Sequence, residues 1–277
     1  MTHSALMLLV ETSRSRCFSA LAAGLIGCSS DTAGPLPEGG YHVLFIGNSL
    51  TYTNDLPNTV AAIAAAAGDT IRVAAEVGAG LALIDHLNGA THAAEAIQRG
   101  GWNFVVLQQG PTSSPGICRD SLILWTRMFD QRIRAVGAVP ALMMVWPTVS
   151  AQDHFDNVRE SFTEAAAAVN GIFLPAGEAW RSAWREDPTL PLYGPDGFHP
   201  SPMGTFLAAL EIYERITGRD PRTLAPTAFT GAARLQLPEA TIRILQRAAH
   251  DANTRFAAHP ASAAPIRPRP AATATGC

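Results

Sequence analysis

Short apolar runs alternate with helical patterns through the middle of the chain, and this alternation limits the folds that the chain can adopt. The first run, residues 43–46, is rich in β-branched and aromatic side chains and ends at Gly47, which is typical of a buried strand. Asn54 and Asp55 are good helix N-caps, and Pro57 suits the first turn of a helix. The pattern therefore predicts a strand, a tight turn and a helix in succession.

The same alternation continues downstream. Further strands are predicted at residues 70–77, 103–107, 139–145 and 171–174. Helices are predicted at residues 91–99, 120–136, 151–169, 178–185, 201–217 and 237–256. Parallel strands joined by helices form a sheet that is covered on both faces. We therefore predict an α/β fold, a three-layer α/β/α sandwich with a mostly parallel, flavodoxin-like sheet, in one domain over residues 41–257.

Residues 1–27 have the pattern of a signal peptide. Two arginines precede an apolar stretch, residues 17–27, which is too short to span a bilayer. The stretch ends in Leu25-Ile-Gly-Cys28, which resembles the lipobox of bacterial lipoproteins. The resemblance implies that Cys28 becomes the lipid-bearing terminus of an envelope protein, and Ser29 after it favours the outer membrane. The alternative is a plain secretory signal with an incidental Cys.

Two segments of biased composition flank the predicted domain. Residues 28–40 are rich in Ser, Gly and Pro, which predicts a flexible tether. Residues 258–277 consist mainly of Ala, Pro, Thr and Ser, and they cannot bury enough apolar surface to become ordered. Cys118 and Cys277 lie far apart in the sequence, so no disulfide framework is predicted.

Composition excludes several kinds of chemistry. All 20 basic residues are Arg, and the chain contains no Lys. A Schiff base, a pyridoxal-phosphate anchor and a P-loop each need a Lys amine, so none of them is available. The net charge is −3 and no basic run is present, which argues against a nucleic-acid partner.

One serine and one Asp-His pair carry the predicted chemistry. Ser49 follows the first strand at its carboxyl end, where α/β sheets usually bind ligands. Asp196 and His199 lie three residues apart in a turn-rich loop, so the carboxylate can accept the Nδ1 proton and leave Nε2 facing a hydroxyl. Taken singly, a serine such as Ser49 is more often a turn residue without a catalytic role. An Asp-His pair such as Asp196 and His199 is more often a helix cap beside a surface His. Together they predict a nucleophile and its base.

The same residues resemble the conserved blocks of the GDSL or SGNH hydrolase family. Phe45-Ile-Gly-Asn-Ser49-Leu is similar to the first block, with Asn48 where Asp is commoner, and implies that Ser49 is the nucleophile. Asp196-x-x-His199 is similar to the fifth block and implies the orienting acid and the general base. Gly80 resembles the glycine of the second block, whose backbone N–H joins that of Ser49 in the oxyanion hole. The resemblance covers roughly residues 43–218.

The third block departs from the family pattern. The usual Gly-x-Asn-Asp would start at Gly110, and Thr112 stands where the Asn is expected. Gln109-Gly110 instead resembles the Gln-Gly of the sialate O-acetylesterase and acetylxylan esterase branch, where a Gln side chain takes over the donor role. Gln109 is therefore the candidate third oxyanion donor and Thr112 is its competitor. A purely structural loop is the remaining alternative.

The resemblance implies a serine esterase that needs no metal and no organic cofactor. Its substrates would be small-molecule or carbohydrate esters, with O-acetyl groups of envelope or environmental carbohydrates among them. An α/β-hydrolase is disfavoured because residues 47–51 lack the second glycine of the Gly-x-Ser-x-Gly elbow. The rival hypothesis from another class is a non-catalytic envelope lipoprotein that binds glycan in the same cleft.

Two weaker patterns occur in the sequence, and neither predicts a binding site. Residues 78–83 partly imitate a dinucleotide fingerprint, but Leu83 stands in the place of the third glycine. Asp153, His154 and Asp156 offer metal-ligand atoms, but acids at a helix start favour the helix dipole and solvent. His86 and His92 are predicted to be surface or satisfied structural histidines.

Overall fold

Five parallel strands form the central sheet, and their spatial order differs from their order in the chain. The computed structural model describes residues 39–111 and 117–256. The strands are β1 (Tyr41–Gly47), β2 (Ile71–Val77), β3 (Phe104–Leu107), β4 (Val139–Met143) and β5 (Ile172–Leu174). They are arranged β2-β1-β3-β4-β5, with every pairing parallel. The order reverses between β1 and β3, and the carboxyl edge of a sheet at such a switch point is where ligands bind.

Helices flank this sheet. They are α1 (Ser49–Tyr52), α2 (Leu56–Ala66), α3 (Leu83–Leu87), α4 (Ala93–Gln98), α5 (Ile117–Ala135), α6 (Phe155–Ala167), α7 (Ala176–Glu186), α8 (Pro202–Thr217) and α9 (Glu239–Phe256). One group packs together as α2, α7, α8 and α9, and another as α3, α4, α5 and α6. The predicted α/β class, with a mostly parallel sheet covered by helices, is confirmed.

Local chemistry explains where the helices beside the site begin and end. Asp55 is the N-cap of α2, with Pro57 in the first turn. Ser201 is the N-cap of α8, and its hydroxyl accepts from the N–H of Gly204 at 3.1 Å. Gly218 ends α8 in the left-handed region, with φ of 72°, which a glycine adopts without steric cost.

The structure corrects the predicted elements at three places. The helix predicted over residues 151–169 starts at Phe155, because Ala151 has φ of −131° and the preceding segment, Val149–His154, is a 3₁₀ helix. A short helix, α1, follows β1 directly and had not been predicted. A two-stranded hairpin, β6 (Ala228–Thr230) and β7 (Ala233–Leu235), was also missed. Strands of three residues are too short to show a period of two.

The core beside β4 contains a stacked pair of indoles. Trp146 and Trp180 are fully buried, with ring centroids 3.6 Å apart and planes 9° apart. The Nε1–H of Trp180 donates to the carbonyl oxygen of Gly204 on α8 at 3.1 Å. The pair therefore links β4, α7 and the start of α8 in one rigid unit.

The predicted leader, most of the tether and the tail lie outside the described residues, as do Cys28 and Cys277. Cys118 is an exposed free thiol. Among the helices of the described ranges, none combines the length and apolar character that crossing a membrane requires.

Candidate active site

Ser49 is the first residue of α1, immediately after the end of β1. Asn48 is the N-cap, and its side-chain Oδ1 accepts from the N–H of Leu50 at 3.1 Å. The Nδ2 of Asn48 donates to the carbonyl oxygen of Leu81 at 3.0 Å, which ties this turn to the turn that follows β2. Within the described residues the N–H of Ser49 has no hydrogen-bond partner. A helix leaves its first N–H groups unpaired, so this donor is available to a ligand.

Asp196 folds the loop that carries His199. Its Oδ1 accepts from the N–H groups of Phe198 and His199 at 3.0 and 2.9 Å, and its Oδ2 lies 2.5 Å from His199 Nδ1. The hydrogen bond with His199, followed by the one with the Phe198 N–H, lowers the pKa of Asp196 to about 2. The carboxylate is therefore ionised at neutral pH and can only accept, so Nδ1 must carry the imidazole proton.

The two segments meet although they are 150 residues apart in the sequence. His199 Nε2 lies 2.8 Å from Ser49 Oγ. Because Nδ1 holds the proton of the neutral imidazole, Nε2 presents its lone pair to the serine hydroxyl. Ser49, His199 and Asp196 thus form one continuous chain of hydrogen bonds, in the arrangement that activates a serine as a nucleophile.

Three contacts that sequence reasoning missed hold the His199 loop in place. The indole N–H of Trp146 donates to the carbonyl oxygen of Phe198 at 3.0 Å. The hydroxyl of Tyr193 donates to the carbonyl oxygen of Pro147 at 2.7 Å. The amide of Asn54 donates to the carbonyl oxygen of Pro200 at 2.8 Å, and Asn54 has φ of 57°. Asn54 is marked by its backbone, because a non-glycine residue is rarely held in the left-handed region. This mark is visible only in the structure.

The candidate oxyanion donors differ in what the structure shows of them. Gly80 has φ of 68°, and its N–H has no partner within the described residues. Gln109 follows β3, and its Oε1 accepts from the N–H of Leu83 at 2.8 Å. Thr112, the competitor of Gln109, lies outside the described residues. The structure therefore fixes the orientation of the Gln109 amide oxygen and leaves its role as a prediction.

His86 is a buried structural residue beneath this edge of the sheet. Its Nε2 lies 3.0 Å from the carbonyl oxygen of Gly47, and its Nδ1 lies 2.8 Å from Thr91 Oγ1. Burial lowers the pKa of His86, against smaller opposing effects of Gly47 and nearby acids. A neutral ring that donates to Gly47 and accepts from Thr91 satisfies both nitrogens.

A cleft of about 610 Å³ opens beside the triad. Its walls include Asn54, Tyr193, Asp196 and His199. This volume lies within the usual range of small-molecule pockets. The cleft therefore borders the Asp196–His199 side of the site.

Ligand atoms for a metal occur together elsewhere in the described residues. One oxygen or nitrogen each from Glu214, Asp220 and His250 lie within 4.8 Å of one another. His250 Nδ1 is 2.7 Å from Glu214 Oε1, and Asp220 pairs with Arg222, so these groups already contact one another or an arginine. Asp156, which belongs to the Asp153, His154 and Asp156 group of the sequence, pairs with Arg159 on α6 and Arg181 on α7.

The chain resembles known proteins in its fold. No protein-family model matches the sequence, and no curated protein matches it. A candidate SGNH hydrolase from Slackia heliotrinireducens is 27% identical, with a TM-score of 0.53 over 64% of this chain and 98% of that one. A DUF4886 family protein from Bacteroides uniformis is 18% identical, with a TM-score of 0.64 over 79% and 96% of the two chains.

A third solved structure is a catalytic mutant of Axe2, an acetylxylan esterase from Geobacillus stearothermophilus. It is 17% identical, with a TM-score of 0.51 over 65% of this chain and 95% of that one. The two neighbours below 20% identity bear on the fold alone. The chain shares the fold of these solved structures, and Ser49 lies at the switch point of its sheet. The resemblance to the SGNH/GDSL hydrolase family is confirmed by this fold and by the solved structures that share it.

Proposed function

We propose that this protein is a serine-dependent hydrolase of carboxylic esters that works through an acyl-enzyme. The observation that carries the proposal is the chain of hydrogen bonds from Ser49 Oγ through His199 to Asp196, with contacts of 2.8 and 2.5 Å. A serine in this arrangement can be deprotonated as it attacks, which is the requirement for nucleophilic catalysis at neutral pH.

Acylation and deacylation each use the same three residues. Ser49 Oγ attacks the ester carbonyl carbon while His199 Nε2 takes the hydroxyl proton, and the tetrahedral intermediate forms. The imidazolium then gives that proton to the departing alcohol oxygen as the carbon–oxygen bond breaks. Water then attacks the acyl-enzyme while His199 Nε2 takes its proton. The imidazolium gives that proton to Ser49 Oγ as the acyl–oxygen bond breaks, and the acid is released. Asp196 stays ionised and stabilises the imidazolium in both steps.

The negative oxygen of the intermediate needs donors that are already in place. The N–H groups of Ser49 and Gly80 are our first two donors, because neither is used by the described part of the chain. Gln109 is our third, through its Nε2. Preorganised donors of this kind stabilise charge that develops only in the transition state.

We extend the proposal to the substrate and the location of the protein. Gln109-Gly110 resembles the pair found in O-acetylesterases, and one structural neighbour is an acetylxylan esterase. O-acetyl groups of envelope or environmental carbohydrates are therefore our substrate class. The Leu25-Ile-Gly-Cys28 sequence supports attachment to the cell envelope by lipid on Cys28, with the outer membrane as the site.

Replacement of Ser49 by Ala tests the proposal. We expect Ser49→Ala to lower ester turnover by on the order of 10⁴-fold or more, because only binding and oxyanion stabilisation would remain. Acetylated saccharides and esters of graded acyl length are the substrates. Ser161→Ala is the matched control, since Ser161 lies on α6 and bonds to Arg119. A folded Ser49→Ala protein with parental turnover would contradict the proposal.

The rival function, glycan binding without catalysis, gives a different result in the same assay. A binding protein would retain saccharides and turn over no ester, and Ser49→Ala would leave its affinity unchanged. Turnover by the parental protein that depends on Ser49 separates the two hypotheses.

A further inference from the structure

Gln108 lies at the point where β1 and β3 stop pairing. Its backbone N–H donates to the carbonyl oxygen of Ile46 at 2.8 Å, which continues the ladder of the two strands. Its side chain is 1% exposed. A buried amide costs free energy unless its donors and acceptor are used, so the partners of Gln108 show what the site requires of it.

All of these partners belong to the turns of the active site. Gln108 Oε1 accepts from the N–H of Asn48 at 2.8 Å and from the hydroxyl of Thr51 at 2.9 Å. Gln108 Nε2 donates to the carbonyl oxygen of Gln109 at 2.8 Å. The amide cannot be reversed, because its NH₂ group would then face the N–H of Asn48. One oxygen therefore holds the residue before Ser49 and a residue of α1 just after it.

Gly47 gives an independent sign that this contact is built into the turn. A Cβ at Gly47 would lie 2.5 Å from Gln108 Oε1 and 2.6 Å from Thr51 Oγ1. Real Cβ atoms do not approach other heavy atoms so closely, so glycine is the residue that lets the buried amide lie this near the backbone. The glycine and the glutamine are complementary parts of the same turn.

We propose that Gln108 is a positioning residue that sets the nucleophile turn, so that Ser49 Oγ faces His199 and the Ser49 N–H faces the substrate. The inference rests on the proposed function. At the next position of the strand ladder, the side-chain Oε1 of Gln108 accepts from the N–H of Asn48 in place of a backbone carbonyl. The backbone can therefore leave the sheet and enter α1 without leaving the N–H of Asn48 unpaired. An error of about 1 Å in such a placement is enough to slow a reaction about a hundredfold.

The test compares two buried glutamines. Gln108→Met removes the three hydrogen bonds at similar volume, and Gln246→Met is the matched control. Gln246 is also 1% exposed, and its amide bonds to the carbonyl oxygens of Leu224 and Ala225, neither of which is a catalytic residue. Both variants are expected to lose stability. Only Gln108→Met is expected to slow the labelling of Ser49 by a fluorophosphonate, by roughly tenfold or more.

Ester kinetics and Thr51 provide the second measurement. Gln108→Met should lower kcat with little change in KM. Thr51→Val should also slow labelling, and Thr51→Ser should recover the lost rate because it restores the hydroxyl. In the Gln108→Met background Thr51→Val should add little, since both act through one oxygen. If Gln108→Met does not fold, the difference between Thr51→Val and Thr51→Ser carries the test.

The outcomes separate this inference from the proposed function. A folded Gln108→Met that is labelled as fast as Gln246→Met, or a Thr51→Val that matches Thr51→Ser, overturns the positioning role. A parental protein that is labelled at Ser49 but hydrolyses no ester overturns the proposed function, and the labelling rates still test Gln108. A parental Ser49 that does not react overturns both.

Discussion

At the scale of single residues, two adjacent glutamines serve different needs. The side chain of Gln108 is buried and all of its polar atoms bond to the protein. The side chain of Gln109 is half-buried, and its Oε1 is taken by the N–H of Leu83. This contact turns the donor end of the Gln109 amide away from Leu83.

Gln109→Ala should lower kcat by roughly a hundredfold and change KM little, because an oxyanion donor acts mainly on the transition state. Steady-state kinetics on one ester, with thermal melts to check folding, measure the effect. Thr112→Ala is the comparison, since Thr112 occupies the Asn position of the family pattern. A turnover defect in Thr112→Ala without one in Gln109→Ala would show that the Gln-Gly analogy is wrong.

At the scale of elements, α8 joins the His199 loop to the core and carries a buried acid. Glu211 is fully buried, and neither carboxylate oxygen has a hydrogen-bond partner within the described residues. Burial raises the pKa of Glu211 well above its usual range. The charge of Arg215 opposes this shift, and that of Glu214 adds to it. The folded protein therefore keeps Glu211 protonated at a pH where the unfolded chain ionises it.

Glu211→Met should stabilise the protein, and the gain should grow from pH 5 to pH 8. Above the unfolded pKa of about 4.5 the folded state binds one more proton, so the free energy of unfolding falls as pH rises. The slope is about 1.4 kcal/mol per pH unit until the folded pKa is reached. Met has a similar volume and no charge, so this slope disappears. Thermal melts at both pH values measure it.

Glu95 on α4 is exposed and provides the control for this prediction. Glu95→Met should show no such growth with pH, because this substitution removes no buried carboxyl group. A melting temperature of Glu211→Met below that of the parent at pH 8 would mean that the acid has a partner that outweighs its burial.

At the scale of the whole molecule, the predicted leader and the domain that follows it have to be tested together. With its own leader in a Gram-negative host, the protein is expected in the membrane fraction with lipid on Cys28, whereas Cys28→Ser should be released or left unprocessed. Detergent partition and intact mass measure this. Cys118→Ser is the control, since Cys118 is an exposed free thiol on α5. An unmodified mature protein that begins at another residue would refute the anchor.

Local sequence determined the backbone elements of this protein. Each strand of the parallel sheet lies within two residues of its predicted bounds. Asp55 is a helix N-cap that the sequence predicts from cap chemistry, and Ser201 and Gly218 cap the helix that the sequence predicts over residues 201–217. The start of α6 at residue 155, after a 3₁₀ helix, and the hairpin at residues 228–235 were not predictable in this way. A single irregular φ at Ala151 and strands of three residues leave no periodic signal.

The sequence alone also indicated Ser49 and the pair Asp196 and His199 as chemical groups, because their types and spacing match a nucleophile and its base. Only the tertiary structure decided that Ser49 and His199 lie 2.8 Å apart, since the order of the strands and the packing of Trp146 bring together segments 150 residues apart. The contact of Gln108 with Asn48 was decided in the same way. A side-chain hydrogen bond between two strand ends depends on their register, and no local pattern encodes it.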